Sequence, residues 1–209
     1  MFNRKCKIIF IRHGSTLYTE EDRLYDMDDY PPINEKGKEE MEKLSHWLKV
    51  SSPNIDLIYT SSSLRAIQSA RIIAKNFKTD FEILDGMYER RPGIWGGLTF
   101  DQVREKYPDM LEKYHTNPCS FWPDGGETTI DVNNRVSKIV DGIVVANIHK
   151  RIVVVTHSGV IQAAISHALT IPPRHQTKIY IPTGSATQIS YYTEWASLVY
   201  SGYIPLNFS

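Results

Sequence analysis

The sequence predicts an α/β protein: a three-layer α/β/α sandwich with a mostly parallel central sheet and an inserted lid. Three observations carry this. The runs KIIFI (Lys7 to Ile11) and RIVVV (Arg151 to Val155) are β-branched and continuous, the pattern of strands buried on both faces. Longer helical stretches alternate with such runs, which implies a mostly parallel sheet covered on both sides. The segment from about residue 88 to 127 fits neither pattern and is rich in Pro, Gly, Trp, Tyr and Phe.

The elements follow in order. Lys7 to Ile11 is the first strand. Asn34 to Lys49 puts Met41, Leu44 and Leu48 on one face and charges on the other, an amphipathic helix capped by Asn34. Ile55 to Tyr59 is a second strand, Leu64 to Phe77 a second helix and Phe81 to Leu84 a third strand. The chain then leaves the sheet to form the lid, with short helical pieces such as Phe100 to Tyr107. Thr128 to Ile148 returns as a long helix, with Ile130, Val136, Ile139, Val140, Ile143 and Val144 apolar. Arg151 to Val155 is the clearest buried strand, and Gly159 to Leu169 is the next helix. Thr187 to Tyr192 and Leu198 to Tyr203 are the last strands, joined by a turn near Glu194. No internal repeat or low-complexity linker interrupts this order.

The chain has 209 residues, which suits one domain over 1–209 carrying a lid at about 88–127. Lys plus Arg and Asp plus Glu are 24 each, so the formal net charge is zero. Nucleic-acid and membrane partners call for a basic surplus or patch, and neither is expected. The apolar run Ile8 to Ile11 is shorter than a signal-peptide core of ~7–15 residues. No stretch approaches the ~18 apolar residues of a membrane span, so a cytoplasmic protein is expected. Cys6 and Cys119 lie far apart with no CxxC pair, and each reads as a buried thiol.

In open α/β sheets, ligands sit beyond the carboxyl ends of the strands. Three strand ends carry unusual cargo. KIIFI runs into Arg12-His13-Gly14-Ser15-Thr16, RIVVV into Thr156-His157-Ser158-Gly159, and IDLIY into Thr60-Ser61-Ser62-Ser63-Leu64-Arg65. Together they offer two guanidinium forks, two imidazoles, hydroxyls and glycine-flanked backbone, the equipment for gripping a tetrahedral dianion. Each piece alone is weak evidence. Gathered without an anion, the cations would repel one another.

On these residues the chain resembles the histidine phosphatase superfamily, the phosphoglycerate-mutase-like proteins, over nearly its whole length. The family's Arg-His-Gly after the first strand is matched by Arg12-His13-Gly14. Its second arginine lies in a pattern matched by Ser61-Ser62-Ser63-Leu64-Arg65-Ala66-Ile67-Gln68-Ser69-Ala70. Its acid, a glutamate shortly before Gly-x-Trp-x-Gly, is matched by Glu89 and Gly93-Ile94-Trp95-Gly96-Gly97. Gly126-Glu127-Thr128 matches the cap motif, and His157-Ser158-Gly159 the second histidine. Three features depart from the pattern. Thr19 stands where the family often has Asn, and Gly96 replaces a common Glu. The loop after Thr16 is acidic (Glu20, Glu21, Asp22, Asp26, Asp28, Asp29), either as a solvated loop or as a filter against highly anionic substrates.

The resemblance implies a phosphatase that forms a phosphohistidine. His13 is the implied nucleophile, Arg12 and Arg65 the phosphoryl clamps, His157 a donor to the phosphoryl group and Glu89 the general acid and base. Thr19, Ser158 and the Thr128 backbone N–H are expected at the phosphate. Trp95, Phe121 and Trp122 either pack on the leaving group or form the lid's own core. Arg23, Tyr25, Arg90 and Glu127 are expected on its polar parts. No metal or other cofactor is expected; HExxH spacing is absent. The partner is a small-molecule phosphate ester, and the apolar C-terminal strands offer an edge for a homodimer. Two other readings stand beside hydrolysis. A mutase would return the phosphoryl group to a second hydroxyl, but its basic, proline-rich insertion has no counterpart between Tyr107 and Gly125. A non-catalytic phospho-ligand binder would have no use for His13 and Glu89.

Overall fold

The structure is a computed structural model that describes residues 4–25 and 31–205. The expected acidic positions Asp26, Asp28 and Asp29 lie outside the described residues. Six strands form one sheet: β1 (Arg4–Arg12), β2 (Leu57–Thr60), β3 (Glu82–Ile83), β4 (Arg151–Thr156), β5 (Ala186–Tyr192) and β6 (Ala196–Tyr203), in the order β3-β2-β4-β1-β5-β6. β3, β2, β4 and β1 are parallel, whereas β5 runs antiparallel to both β1 and β6. The helices are α1 (Leu17–Glu20), α2 (Glu35–Ser51), α3 (Leu64–Phe77), α4 (Phe100–Lys106), α5 (Pro108–Thr116), α6 (Thr129–Ala146) and α7 (Ser158–Leu169).

The period-two alternation of the central strands divides the core between two faces. Ile8, Phe10, Ile152 and Val154 pack with α6 (Val132, Val136, Val140) and α7 (Val160, Ile161, Ala164). Ile9, Ile11, Val153 and Val155 pack with α2 (Met41, Leu44, Leu48) and α3 (Ala66, Ala70, Ile73). A fully buried aliphatic side chain stabilises by roughly 1.5–3 kcal/mol, so the two helix-covered faces together hold the sheet. A third, smaller core centres on Trp95, Val103 and Leu111 and gathers Leu24, Tyr107, Tyr114, Phe121 and Trp122. This is the 88–127 excursion, which leaves after β3 and returns at α6.

Several elements differ from expectation. β3 is only two residues long and exposed. α5 is a further short helix of the lid; Pro108 stands at its first position, where its missing N–H costs nothing. Cys6 is buried, but Cys119 is only half-buried. Among the described residues, no helix is long and apolar enough to cross a membrane.

From β1 the chain passes through α2 to β2, and β4 later fills the place between β1 and β2. The carboxyl ends of β1 and β4 therefore lie side by side, with Arg12 paired to Thr156 and His13 N–H donating to Thr156 O at 3.0 Å. The start of α2 closes on this point. A Cβ on Gly14 would lie 2.4 Å from the carbonyl oxygen of Gly37, so both positions must be glycine for the two backbones to meet.

Candidate active site

β1 delivers His13 into a site where it is 1% exposed. Its Nδ1 lies 2.8 Å from Gly14 O. A carbonyl only accepts, so the proton is on Nδ1 and Nε2 is bare. Arg65, in the first turn of α3, donates its Nε–H to that Nε2 at 3.3 Å. The same guanidinium points an NH2 group at Nδ1 of His157, also at 3.3 Å. Because arginine only donates, His157 carries its proton on Nε2, which faces Ser61 Oγ at 2.8 Å and Ser63 Oγ at 3.2 Å. The two imidazoles are 5.2 Å apart. Burial first, and the nearby Arg65 and Arg12 next, hold the His13 pKa well below its ordinary value. Burial and Arg65 do the same for His157. Both rings are therefore neutral.

Arg12 gives one NH group to Ile181 O at 2.6 Å, while its Nε–H is buried without a partner among the described residues. Glu89 arrives from the end of the β3 connection. Its carboxylate accepts from Arg90 N–H at 2.9 Å, from Ser158 Oγ at 3.1 Å and from Gly159 N–H at 3.3 Å. It thus sits on the positive end of α7 rather than in an ion pair with Arg90 or Arg91. Gly159 makes room for it: a Cβ there would stand 2.6 Å from Glu89 Oε1. Tyr25 covers the trio. Its ring lies 3.6 Å from the Arg65 guanidinium and edge-on to His13, and its hydroxyl bonds Thr16 Oγ1 at 2.5 Å.

The structure thus brings together the five residues expected to carry the chemistry: Arg12, His13, Arg65, Glu89 and His157. The peripheral expectations divide. Ser158 and Arg23 line the cavity that opens from this site. Arg23 is already engaged, by Glu21 and by Gly97 O. Thr19 also lines the cavity, but its hydroxyl donates to Thr16 O at 2.9 Å in the cap of α1, so its proton is committed.

Two expectations fail outright, at Thr128 and Glu127, and Trp95 takes the lid-core alternative. Trp95 has no exposed surface and packs at the centre of the lid core, with Trp122 at 5.3 Å; it cannot touch a substrate. Phe121 also belongs to that core, whereas Trp122 lines the cavity. The Thr128 N–H, expected at the phosphate, donates to Asp131 Oδ2 at 2.9 Å in a capping box that starts α6. Glu127 is buried against Arg135, at 3.0 and 2.9 Å, and accepts the Arg91 N–H at 3.1 Å. It ties the lid down rather than facing a ligand.

Sequence reasoning missed the groups that position the loop. Glu40 of α2 accepts from Ser15 N–H and Ser15 Oγ, each at 2.8 Å, and from Thr183 at 3.1 Å. Ser69 accepts the Gly14 N–H at 3.1 Å and donates to Arg65 O at 2.8 Å. Ser69 was legible in principle, four residues after Arg65 and so on the same helix face. Glu40 carried no local signal.

A buried imidazole with a bare Nε2, near the guanidiniums of Arg65 and Arg12 and with a carboxylate at the same edge of the parallel strands, suits a phosphoric monoester hydrolase. Residues 8–202 match the family model of the histidine phosphatase superfamily (branch 1), and the chain belongs to that superfamily. It is similar to phosphoserine phosphatase 1 of Hydrogenobacter thermophilus, 28% identical over 152 residues that cover 73% of this chain and 71% of that protein. It is also similar to the bifunctional protein Rv2228c of Mycobacterium tuberculosis, 27% identical over 92% of this chain but spanning only 52% of the relative. Among solved structures, Bacillus stearothermophilus YhfR superposes with a TM-score of 0.85 at 26% identity, covering 94% of this chain and 96% of that one.

Proposed function

We propose that the protein hydrolyses a small-molecule phosphate monoester through a phosphohistidine at His13. The observation that carries this reading is the bare Nε2 of His13, held beside the Arg65 guanidinium in a tautomer that Gly14 O enforces. A phosphate dianion repels nucleophiles, so catalysis is mostly positioning and charge neutralisation. Arg12 and Arg65 take the nonbridging oxygens, the first with the buried Nε–H that has no partner among the described residues.

Nε2 attacks phosphorus as the bond to the leaving oxygen breaks, and Glu89 passes to the departing alkoxide a proton taken from solvent when the dianion arrives. The resulting carboxylate then takes a proton from water, whose oxygen attacks phosphorus. The N–P bond breaks, returning neutral His13, and inorganic phosphate leaves. His157 supports the planar transition state once its Nδ1 gains a proton, which the arriving dianion stabilises.

The test is phosphate release from para-nitrophenyl phosphate. His13→Ala abolishes turnover and keeps phosphate binding. Rapid quenching of the unaltered enzyme traps an acid-labile phosphoenzyme. Normal hydrolysis by His13→Ala would remove His13 as the nucleophile. Single-turnover release of inorganic phosphate, with none passed to phosphoglycerate, separates hydrolysis from mutase transfer.

A further inference from the structure

The cavity that reaches the site at Arg12 and Glu89 has a volume of about 740 Å³, in the range of sites that enclose a whole organic ligand. Arg12, Glu89 and Ser158 line it on the phosphate side. The lid contributes Phe100, Tyr114 and Trp122. These three rings share a backing. Trp95, fully buried, lies 6.4 Å from Phe100, 6.0 Å from Tyr114 and 5.3 Å from Trp122. Tyr114 meets Trp122 edge to face at 5.3 Å. The rings are therefore fixed before any ligand arrives, and Phe100 still leaves 41% of its surface open. Rigid aromatic walls of this kind bind flat rings at little entropic cost.

The charge at the lid side differs from that at the histidines. Glu21 and Asp101 face the cavity and engage the neighbouring guanidiniums of Arg23 and Arg104. Asp22 adds a third carboxylate. Arg90 lies over the Trp122 ring at 4.6 Å, extending the flat wall. Arg12 and Arg65 converge on the phosphate side, whereas on the lid side Arg23 is held by Glu21 and Arg90 lies on Trp122, so a second phosphate there would meet Glu21, Asp22 and Asp101 as well.

We infer that the substrate is a phosphate monoester whose leaving group carries a flat ring and no second anion, the chemistry of a nucleoside monophosphate. The phosphate lies at Arg12 and Ser158, on the cavity side of the His13–Arg65 pair, and the ring lies against Phe100 and Trp122. Gln162, one turn along α7 from Ser158, and Thr177 offer polar contacts to the connecting hydroxyls. This deepens the phosphatase reading and rests on it.

The test compares kcat/KM for phosphate release from adenosine 5′-monophosphate, glycerol 3-phosphate, 3-phosphoglycerate and fructose 2,6-bisphosphate, with para-nitrophenyl phosphate as a general probe. The expected result is at least a tenfold preference for the nucleotide over glycerol 3-phosphate, with the two more anionic esters poorest. Phe100→Ala narrows that preference about tenfold, the effect of one lost ring contact, and Phe100→Tyr restores it. Phe100 is half-exposed, so its removal spares the fold, and the preference of the unaltered enzyme decides the matter even if a variant fails. Equal rates for nucleotide and glycerol 3-phosphate, or a preference for phosphoglycerate or the bisphosphate, overturn the inference and leave the phosphatase intact. No phosphate release from any ester, para-nitrophenyl phosphate included, removes the phosphatase reading and the inference with it.

Discussion

Replacing Glu127 by Ala separates the two roles that sequence and structure give this residue. The carboxylate is 5% exposed and its partner Arg135 is 13% exposed. Arg135 also donates one NH group to Gly86 O and to Tyr88 O, and its guanidinium lies over the Tyr88 ring at 3.9 Å. The pair therefore clamps the beginning of the lid, at residues 86–88, to its end at 127. Removing the carboxylate leaves a largely buried guanidinium and the Arg91 N–H without an acceptor. Breaking one side of a buried ion pair costs about 3–5 kcal/mol. Glu127→Gln keeps one accepting oxygen and should cost about half as much. For a domain of this size each kcal/mol moves Tm by roughly 2–4 °C, so the alanine variant should melt roughly 6–20 °C lower. Urea unfolding followed by circular dichroism measures the loss directly. A stability change under about 1 kcal/mol, accompanied by a raised KM, would refute the clamp and return Glu127 to the substrate wall.

The remaining expectations concern the site itself. His13 and His157 have folded pKa values below their unfolded ones, so the unfolded chain binds more protons as pH falls through ~6.5. Their contribution to stability is therefore complete above ~6.5 and declines toward the lowered folded values. His157→Asn should flatten that slope by up to about 1.4 kcal/mol per pH unit, read from urea midpoints between pH 5 and 7. Gly159→Ala places a methyl against Glu89 and should lower kcat about 100-fold, more for alkyl esters than for para-nitrophenyl phosphate, whose leaving group needs no acid. An equal loss for both would mean that Glu89 does not protonate the leaving group. Glu40→Ala strands the Ser15 N–H and should cost about 1–3 kcal/mol while slowing turnover. Unchanged stability and rate would show that the loop holds its shape without it.

Much of this molecule was legible along the chain. KIIFI and RIVVV read as central strands because burial on both faces leaves a continuous apolar run. Arg12, His13, Arg65 and His157 stood out because they immediately follow such strands or open the next helix. Glu89 was legible through its motif, not through any local pattern. The lid was harder to read. Trp95 and Trp122 lie in one aromatic-rich stretch, and composition gives both the same prospects.

What the sequence determined by itself was therefore local: which segments become strands and helices, and which reactive groups stand at their ends. Periodicity and adjacency are properties of neighbouring residues, so they survive without coordinates. What tertiary structure alone decided was the partner of each polar group. Glu127 went to Arg135, the Thr128 N–H to Asp131, Trp95 to the lid core, and Glu40 to a loop 25 residues away. A hydrogen bond or a ring contact reaches only a few ångströms, so its choice of partner depends on where the folded chain brings distant segments together.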